Sequence, residues 1–167
     1  MLAITTVSSH AATATWNAFG AGPFQWNAGA SWLGGVQPNV SDATLDVLVP
    51  AGGGATVTNN DFTGLFLNSL TFNGGAGETA SIAGNSLDFR TDGTLPTLTQ
   101  NGTAAVTISA PVVATNLLTL NGTGNGLTTI TGAVSGAGGI AVAAGNWWIG
   151  SAASSYTGAF SNVFPSI

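Results

Sequence analysis

Ser69-Leu70-Thr71-Phe72-Asn73-Gly74, Thr97-Leu98-Thr99-Gln100-Asn101-Gly102 and Leu117-Leu118-Thr119-Leu120-Asn121-Gly122 are three copies of one pattern, x-Leu-Thr-x-Asn-Gly. A second strand-like stretch follows each copy: Ala80-Ser81-Ile82-Ala83, Val106-Thr107-Ile108-Ser109 and Thr128-Thr129-Ile130-Thr131. The copies begin 28 and then 20 residues apart, a spacing at which self-similarity marks a solenoid. A strand-turn-strand unit this short cannot bury its own Leu, Phe and Ile, so successive units must stack to share one core. Alternation along each strand sends Leu70 and Phe72, Leu98 and Gln100, and Leu118 and Leu120 to one face and the threonines to the other. Gln100 breaks the apolar row: either its strand is shifted in register, or it lies at the end of a coil.

The rival fold is a hairpin meander, because Asn-Gly after a strand suits a two-residue type I′ turn. A meander needs a partner strand directly after the turn. Here Asn73-Gly74 and Asn121-Gly122 run on into further glycine-rich residues, a spacing that fits the corners of a coil better. Gly136-Ala137-Gly138-Gly139 and Gly145-Asn146 read in the same way as corners flanking Ile140-Ala141-Val142 and Trp147-Trp148-Ile149. At roughly 20 to 28 residues per coil, the 167-residue chain would form about six to eight coils.

Composition points to the same class. Charged residues make up only 4% of the chain and hydrophobic ones 44%, so the surface is carried by Thr, Ser and Asn, which suit strands and turns. The chain is predicted to be all-β and a single domain. Arg90 is the only Lys or Arg, set against six acidic residues for a net charge of -5. Nucleic acid and anionic membrane surfaces are excluded as partners, since both draw affinity from clustered basic side chains. No apolar run approaches the ~20 residues of a membrane-spanning helix. With no cysteine, disulfides and thiolate metal sites are absent, while the redox compartment stays open.

Residues 1–14 hold an apolar run (Leu2, Ala3, Ile4, Val7) and then Ser9-His10-Ala11-Ala12, a small-x-small pattern of the kind signal peptidase cuts. No Lys or Arg precedes the run, so the segment reads either as a signal remnant or as a retained strand able to pair with a neighbouring subunit. Residues 15–45 form a Trp-rich N-terminal cap or first coil, 46–160 the remaining coils and 161–167 a C-terminal tail.

The chain resembles the autotransporter-associated β-strand repeat of secreted bacterial passenger regions. The resemblance is most specific from Leu117 to Gly158. It runs from the Leu-Thr-Leu-Asn-Gly strand through Gly132-Ala133-Val134-Ser135-Gly136-Ala137-Gly138-Gly139-Ile140 and Gly145 to Ser155-Tyr156-Thr157-Gly158. Trp16, Trp26 and Trp32 ahead of Pro38, followed by Asp42-Ala43-Thr44, extend it over nearly the whole chain. What the resemblance implies is a right-handed parallel β-helix, a secreted or cell-surface setting and no shared catalytic residues. No outer-membrane barrel sequence follows the repeat, so autotransport in cis is not implied.

Candidate sites are few. Asp42 and Asp46 could share a face as paired carboxylates, but no Lys or well-placed His accompanies them for acid-base work; His10 sits in the N-terminal segment. Gly74-Gly75-Ala76-Gly77-Glu78-Thr79 approximates a calcium-binding nonapeptide, yet Thr79 stands where the aspartate belongs and a single copy cannot supply six oxygens. It reads as a plain corner. Asp88, Arg90 and Asp92 alternate with Leu87, Phe89 and Thr91, which would make an exposed ion pair on an outward face. Three Asn-x-Ser/Thr matches, at Asn39, Asn101 and Asn121, are expected by chance in so Asn- and Thr-rich a chain and carry no function.

The five tryptophans carry more information. Trp16, Trp26 and Trp32 are expected to plug the first coil, because an open solenoid end exposes core side chains and unpaired backbone. Trp147 and Trp148 are adjacent in a strand, so one must point inward and the other outward. The outward ring would serve assembly or stack on a glycan. The expectation is therefore a non-catalytic structural or adhesive solenoid that needs no cofactor or metal. It would self-associate head to tail into fibres by strand pairing at its ends. A glycan-binding surface module is the alternative, and a polysaccharide-degrading β-helix enzyme the weaker one.

Overall fold

The computed structural model describes residues 12–40, 44–151 and 153–162. In order, the strands are β1 (Ala12–Thr15), β2 (Gly20–Gln25), β3 (Leu45–Val49), β4 (Ala55–Asn60), β5 (Phe66–Phe72), β6 (Thr79–Gly84), β7 (Leu87–Phe89) and β8 (Thr97–Gln100). They continue as β9 (Ala105–Ile108), β10 (Val112–Ala114), β11 (Leu118–Asn121), β12 (Leu127–Ile130), β13 (Val134–Ser135), β14 (Ile140–Val142), β15 (Asn146–Ile149) and β16 (Phe160–Asn162). A single 3-10 turn, Gly29–Ser31, is the only helix among the described residues. None of these is a helix long and apolar enough to cross a membrane.

Every strand pair is parallel, so the chain is an all-β parallel solenoid. The strands stack on three faces. The first face is the row β1, β3, β5, β8, β11, β14, β16, and the second is β2, β4, β6, β9, β12, β15. The third arises because β5 bends at Asn68. Its Phe66–Leu67 half pairs with β7, which continues to β10 and β13, while its Ser69–Phe72 half pairs with β8. The Asn-Gly corners lead from β5, β8 and β11 on the first face to β6, β9 and β12 on the second and are not hairpin turns.

The predicted inward rows are present. Val47, Leu70, Leu98, Leu120 and Val142 lie in register on the first face, and Ile82, Ile108, Ile130 and Ile149 on the second. All but Ile149 are fully or almost fully buried, each worth about 1.5–3 kcal/mol of transfer free energy. Leu87, Val112 and Val134 line up on the third face and close the core.

The chain makes about five turns, fewer than the six to eight expected from repeat length. Two stretches consume chain without adding coils. Ala12 and Leu45, partners in adjacent coils, are 33 positions apart because the intervening residues build the tryptophan cap. Leu70 and Leu98 are 28 apart because a loop from Thr91 to Pro96 bulges between β7 and β8. The later turns are shorter: Leu98 to Leu120 and Leu120 to Val142 each span 22 residues.

The third sequence copy is displaced relative to its expected alignment. Thr97 pairs with Thr119, not with Leu117, a slide of two residues. An even slide keeps every side chain on its own face, so Leu120 still covers Leu98. As a result Thr123-Gly124, not Asn121-Gly122, stacks on the Asn101-Gly102 corner. The corner glycines are required by close approach. A Cβ at Gly102 would fall 1.9 Å from the Gly74 carbonyl oxygen, and one at Gly124 would fall 1.9 Å from that of Gly102.

Gln100 keeps its register and ends its strand inside the core, fully buried. Its Nε2 donates to the Ala104 carbonyl at 2.8 Å, and its Oε1 accepts the Gly102 N–H at 3.1 Å. The amide thus ties the corner it precedes, which is how a polar group is tolerated in the row.

Candidate functional site

The carboxylates hold the coils together. Asp46 accepts from the Ser69 hydroxyl of the next coil at 2.6 Å, and Asp61 from the Asn27 N–H at 2.9 Å. Asp88 takes the Arg90 guanidinium at 2.7 Å and the Thr115 hydroxyl at 2.6 Å, while the guanidinium lies 3.6 Å from the centre of the Phe66 ring. Strand β7 ends at Phe89, so Asp92 belongs to the loop and does not continue the Asp88 face. Asp42 and His10 lie outside the described residues. Among the described residues no three acidic or histidine side chains gather to hold a metal ion.

Glu78, the acidic residue of the apparent calcium nonapeptide, faces amides instead. Its Oε1 accepts the N–H groups of Gly52 and Gly54 at 2.7 and 3.3 Å, and its Oε2 accepts that of Gly75. These donors, Gly75 first, hold its carboxyl below the ordinary carboxylate value. Glycine at these corners lets backbone amides converge on the carboxylate, so the stretch is a corner clamp between adjacent coils.

The two ends of the solenoid differ. At the N-terminal end, Trp16, Trp26 and Trp32 are buried together, with ring centroids 4.9 to 6.1 Å apart and two of the three contacts edge-to-face. Trp32 Nε1 donates to the Trp26 carbonyl at 2.6 Å. The strand edge is covered as well. An antiparallel bridge joins Trp16 to Trp32, with Leu33 N–H donating to Thr15 O and Asn17 N–H to Ser31 O, both at 2.8 Å. Strand β1 pairs with β3 of its own chain; residues 1–11 of the expected N-terminal segment lie outside the described residues.

At the C-terminal end the core is open among the described residues. A cavity of about 630 Å³ has Val142, Ile149 and Trp147 among its lining residues, together with Tyr156, Phe160 and the amides of Asn146 and Asn162. Among the described residues, no strand pairs with the outer edges of β15 or β16. Residues 155–157 add only two hydrogen bonds over the third face, from Ser155 N–H to Val134 O and from Thr157 N–H to Gly136 O.

The adjacent tryptophans separate as alternation requires. Trp147 stacks on Thr128 of the coil beneath, packs against the core and donates from Nε1 to the Ala144 carbonyl at 2.7 Å. Trp148 stacks on Thr129 and is 52% exposed on the outer surface. The cavity therefore takes the inward ring, whereas the outward one stands on the side of the rod. Tyr156 and Phe160, which complete the cavity, were not singled out by sequence. The Tyr-Thr-Gly ending of the repeat was their only signal. Comparisons with family models, with curated proteins and with solved structures found no match to this chain.

Proposed function

We propose that the chain is a non-catalytic structural β-solenoid of a secreted or cell-surface setting that associates through its open C-terminal end. The observation that carries this reading is the contrast between the ends among the described residues: one is plugged by three tryptophans and bridged along part of its edge, while at the other the edges of β15 and β16 are unpaired and the core opens into the cavity. Unpaired edges of this kind recruit further strands unless charge or proline blocks them; none of the described residues lining the cavity is either, and Pro165, the proline near this end of the sequence, lies outside the described residues. A catalytic role has less support, because Asp46, Asp61, Glu78 and Asp88 are each engaged in hydrogen bonds between or within coils and none reaches the cavity.

The test is sedimentation at rising concentration. Wild-type chain should associate, and Phe160→Lys, which places an unpaired charge in a desolvated contact, should stay monomeric while keeping its β circular dichroism. If the wild type sediments as a monomer throughout, the association reading falls.

A glycan-binding module is the second reading. Trp147, Tyr156 and the two asparagine amides combine apolar faces with directional donors, as sugar sites do. Because Trp16, Trp26 and Trp32 are buried, a glycan-induced change in tryptophan fluorescence would report on Trp147 or Trp148. That change, removed by Trp147→Ala or Trp148→Ala, together with a monomeric wild type, would favour this reading.

A further inference from the structure

The chain contains four Asn-Gly pairs, at Asn73-Gly74, Asn101-Gly102, Asn121-Gly122 and Asn125-Gly126. All four asparagines are exposed at corners of the coil. We infer that Asn73-Gly74 and Asn121-Gly122 are sites of spontaneous covalent modification, passing through a cyclic imide to aspartate and isoaspartate, while stacking of the coils holds Asn101-Gly102 and Asn125-Gly126 against it.

The reaction has fixed requirements. The backbone nitrogen after the asparagine loses its proton and attacks the side-chain Cγ. A new N–Cγ bond closes the imide ring, the Cγ–Nδ2 bond breaks, and Nδ2 leaves as ammonia with that proton. Water then opens the ring: at Cγ it leaves aspartate, and at the main-chain carbonyl it leaves isoaspartate, with the main chain routed through the former side chain. The step therefore needs a backbone N–H that is not already bonded and a carboxamide that can turn. Glycine favours it, because no Cβ stands beside the attacking nitrogen.

The fold supplies these conditions unequally. The Gly102 N–H donates to Gln100 Oε1 at 3.1 Å, and the Gly126 N–H donates to the Gly102 carbonyl at 3.2 Å. The Asn101 carboxamide is tied as well. Its Nδ2 donates to Asn73 Oδ1 at 3.4 Å, and its Oδ1 accepts both the N–H and the hydroxyl of Thr123 at 3.4 Å. Gly74 and Gly122 lie just beyond the ends of β5 and β11, and among the described residues neither N–H has an acceptor. Asn121 makes no side-chain hydrogen bond among the described residues, and Asn73 only accepts the long one from Asn101.

The reactive pairs are also imposed by the stacking. A Cβ at Gly122 would fall 1.9 Å from the Gln100 carbonyl oxygen, and one at Gly74 would fall 2.8 Å from the Ala104 Cβ. Each conversion adds a carboxylate to a surface whose only basic side chain is Arg90, and each isoaspartate lengthens the main chain at a corner.

The test ages the full chain in mildly alkaline buffer, once folded and once in denaturant. Peptide mapping then follows the exchange of NH2 for OH at each asparagine, with fragmentation spectra separating Asn121 from Asn125. In the folded protein Asn73 and Asn121 should convert about five- to tenfold faster than Asn101 and Asn125, the rate equivalent of breaking one hydrogen bond of ordinary net strength. In denaturant the four rates should converge. Gln100→Leu, which removes the acceptor of the Gly102 N–H, should raise conversion at Asn101 toward that at Asn73. Equal rates at all four sites of the folded protein, or a lead by Asn101 or Asn125, would overturn the inference. So would the same rank order in the unfolded chain, since sequence and not stacking would then set it. The wild-type comparison decides even if Gln100→Leu does not fold.

Discussion

Residues in this molecule earn their places mostly at corners. Gly102 and Gly124 are there because the coil beneath leaves no room for a Cβ, a constraint that depends on which corner stacks on which and cannot be seen in one repeat. Gln100 shows the same dependence: in sequence it interrupts an apolar row, while in the fold its amide ties the following turn. Glu78 yields a pH prediction. Its carboxyl is lowered from 4.5 by the Gly75, Gly54 and Gly52 amides. Its stabilising contribution is therefore complete above the unfolded value and is lost as pH falls through 4.5 toward the lowered folded value. Thermal melting followed over that window should show a smaller loss of stability on acidification in Glu78→Gln than in wild type. Equal slopes for the two proteins would remove Glu78 from the account.

Strands follow from alternation, and here the sequence was nearly sufficient. Leu70, Phe72, Ile82, Leu118, Leu120 and Ile130 were expected in the buried rows and are there, at 0 or 1% exposure. Leu118→Ala should cost about 2–5 kcal/mol, because stacked coils cannot collapse around the void without breaking ladder bonds above and below. Denaturant unfolding measures it, and a change near zero would mean that the row is not packed. Register was only partly legible. The first spacing of 28 residues is the structural one, but the third copy slides by two. Local pattern is blind to this slide because a period of two is unchanged by it. Strand β15 is a case where alternation decided correctly that Trp147 and Trp148 must part; which of the two faces inward required the pairing with Thr128.

At the scale of the whole molecule, each coil touches only its neighbours, so stability grades from the middle to the ends. At dilution that keeps the chain monomeric, amide exchange should be slowest in β6, β8, β9 and β11, intermediate in the tryptophan-bridged β1, and fastest in β15 and β16. Equal protection at the two ends would contradict the difference between them. The repeat, the scarcity of charge and the alternation of Leu and Thr determined by themselves an all-β solenoid with a tryptophan-plugged head, since these features reflect local periodicity and the need of short units to share a core. Tertiary structure alone decided the number of turns, the corner chemistry of Glu78 and Gln100, and the open cavity where Trp147 meets Tyr156 and Phe160. Those depend on how much chain each coil consumes and on which residues stand one layer above others 20 to 33 positions away, distances that no local pattern encodes.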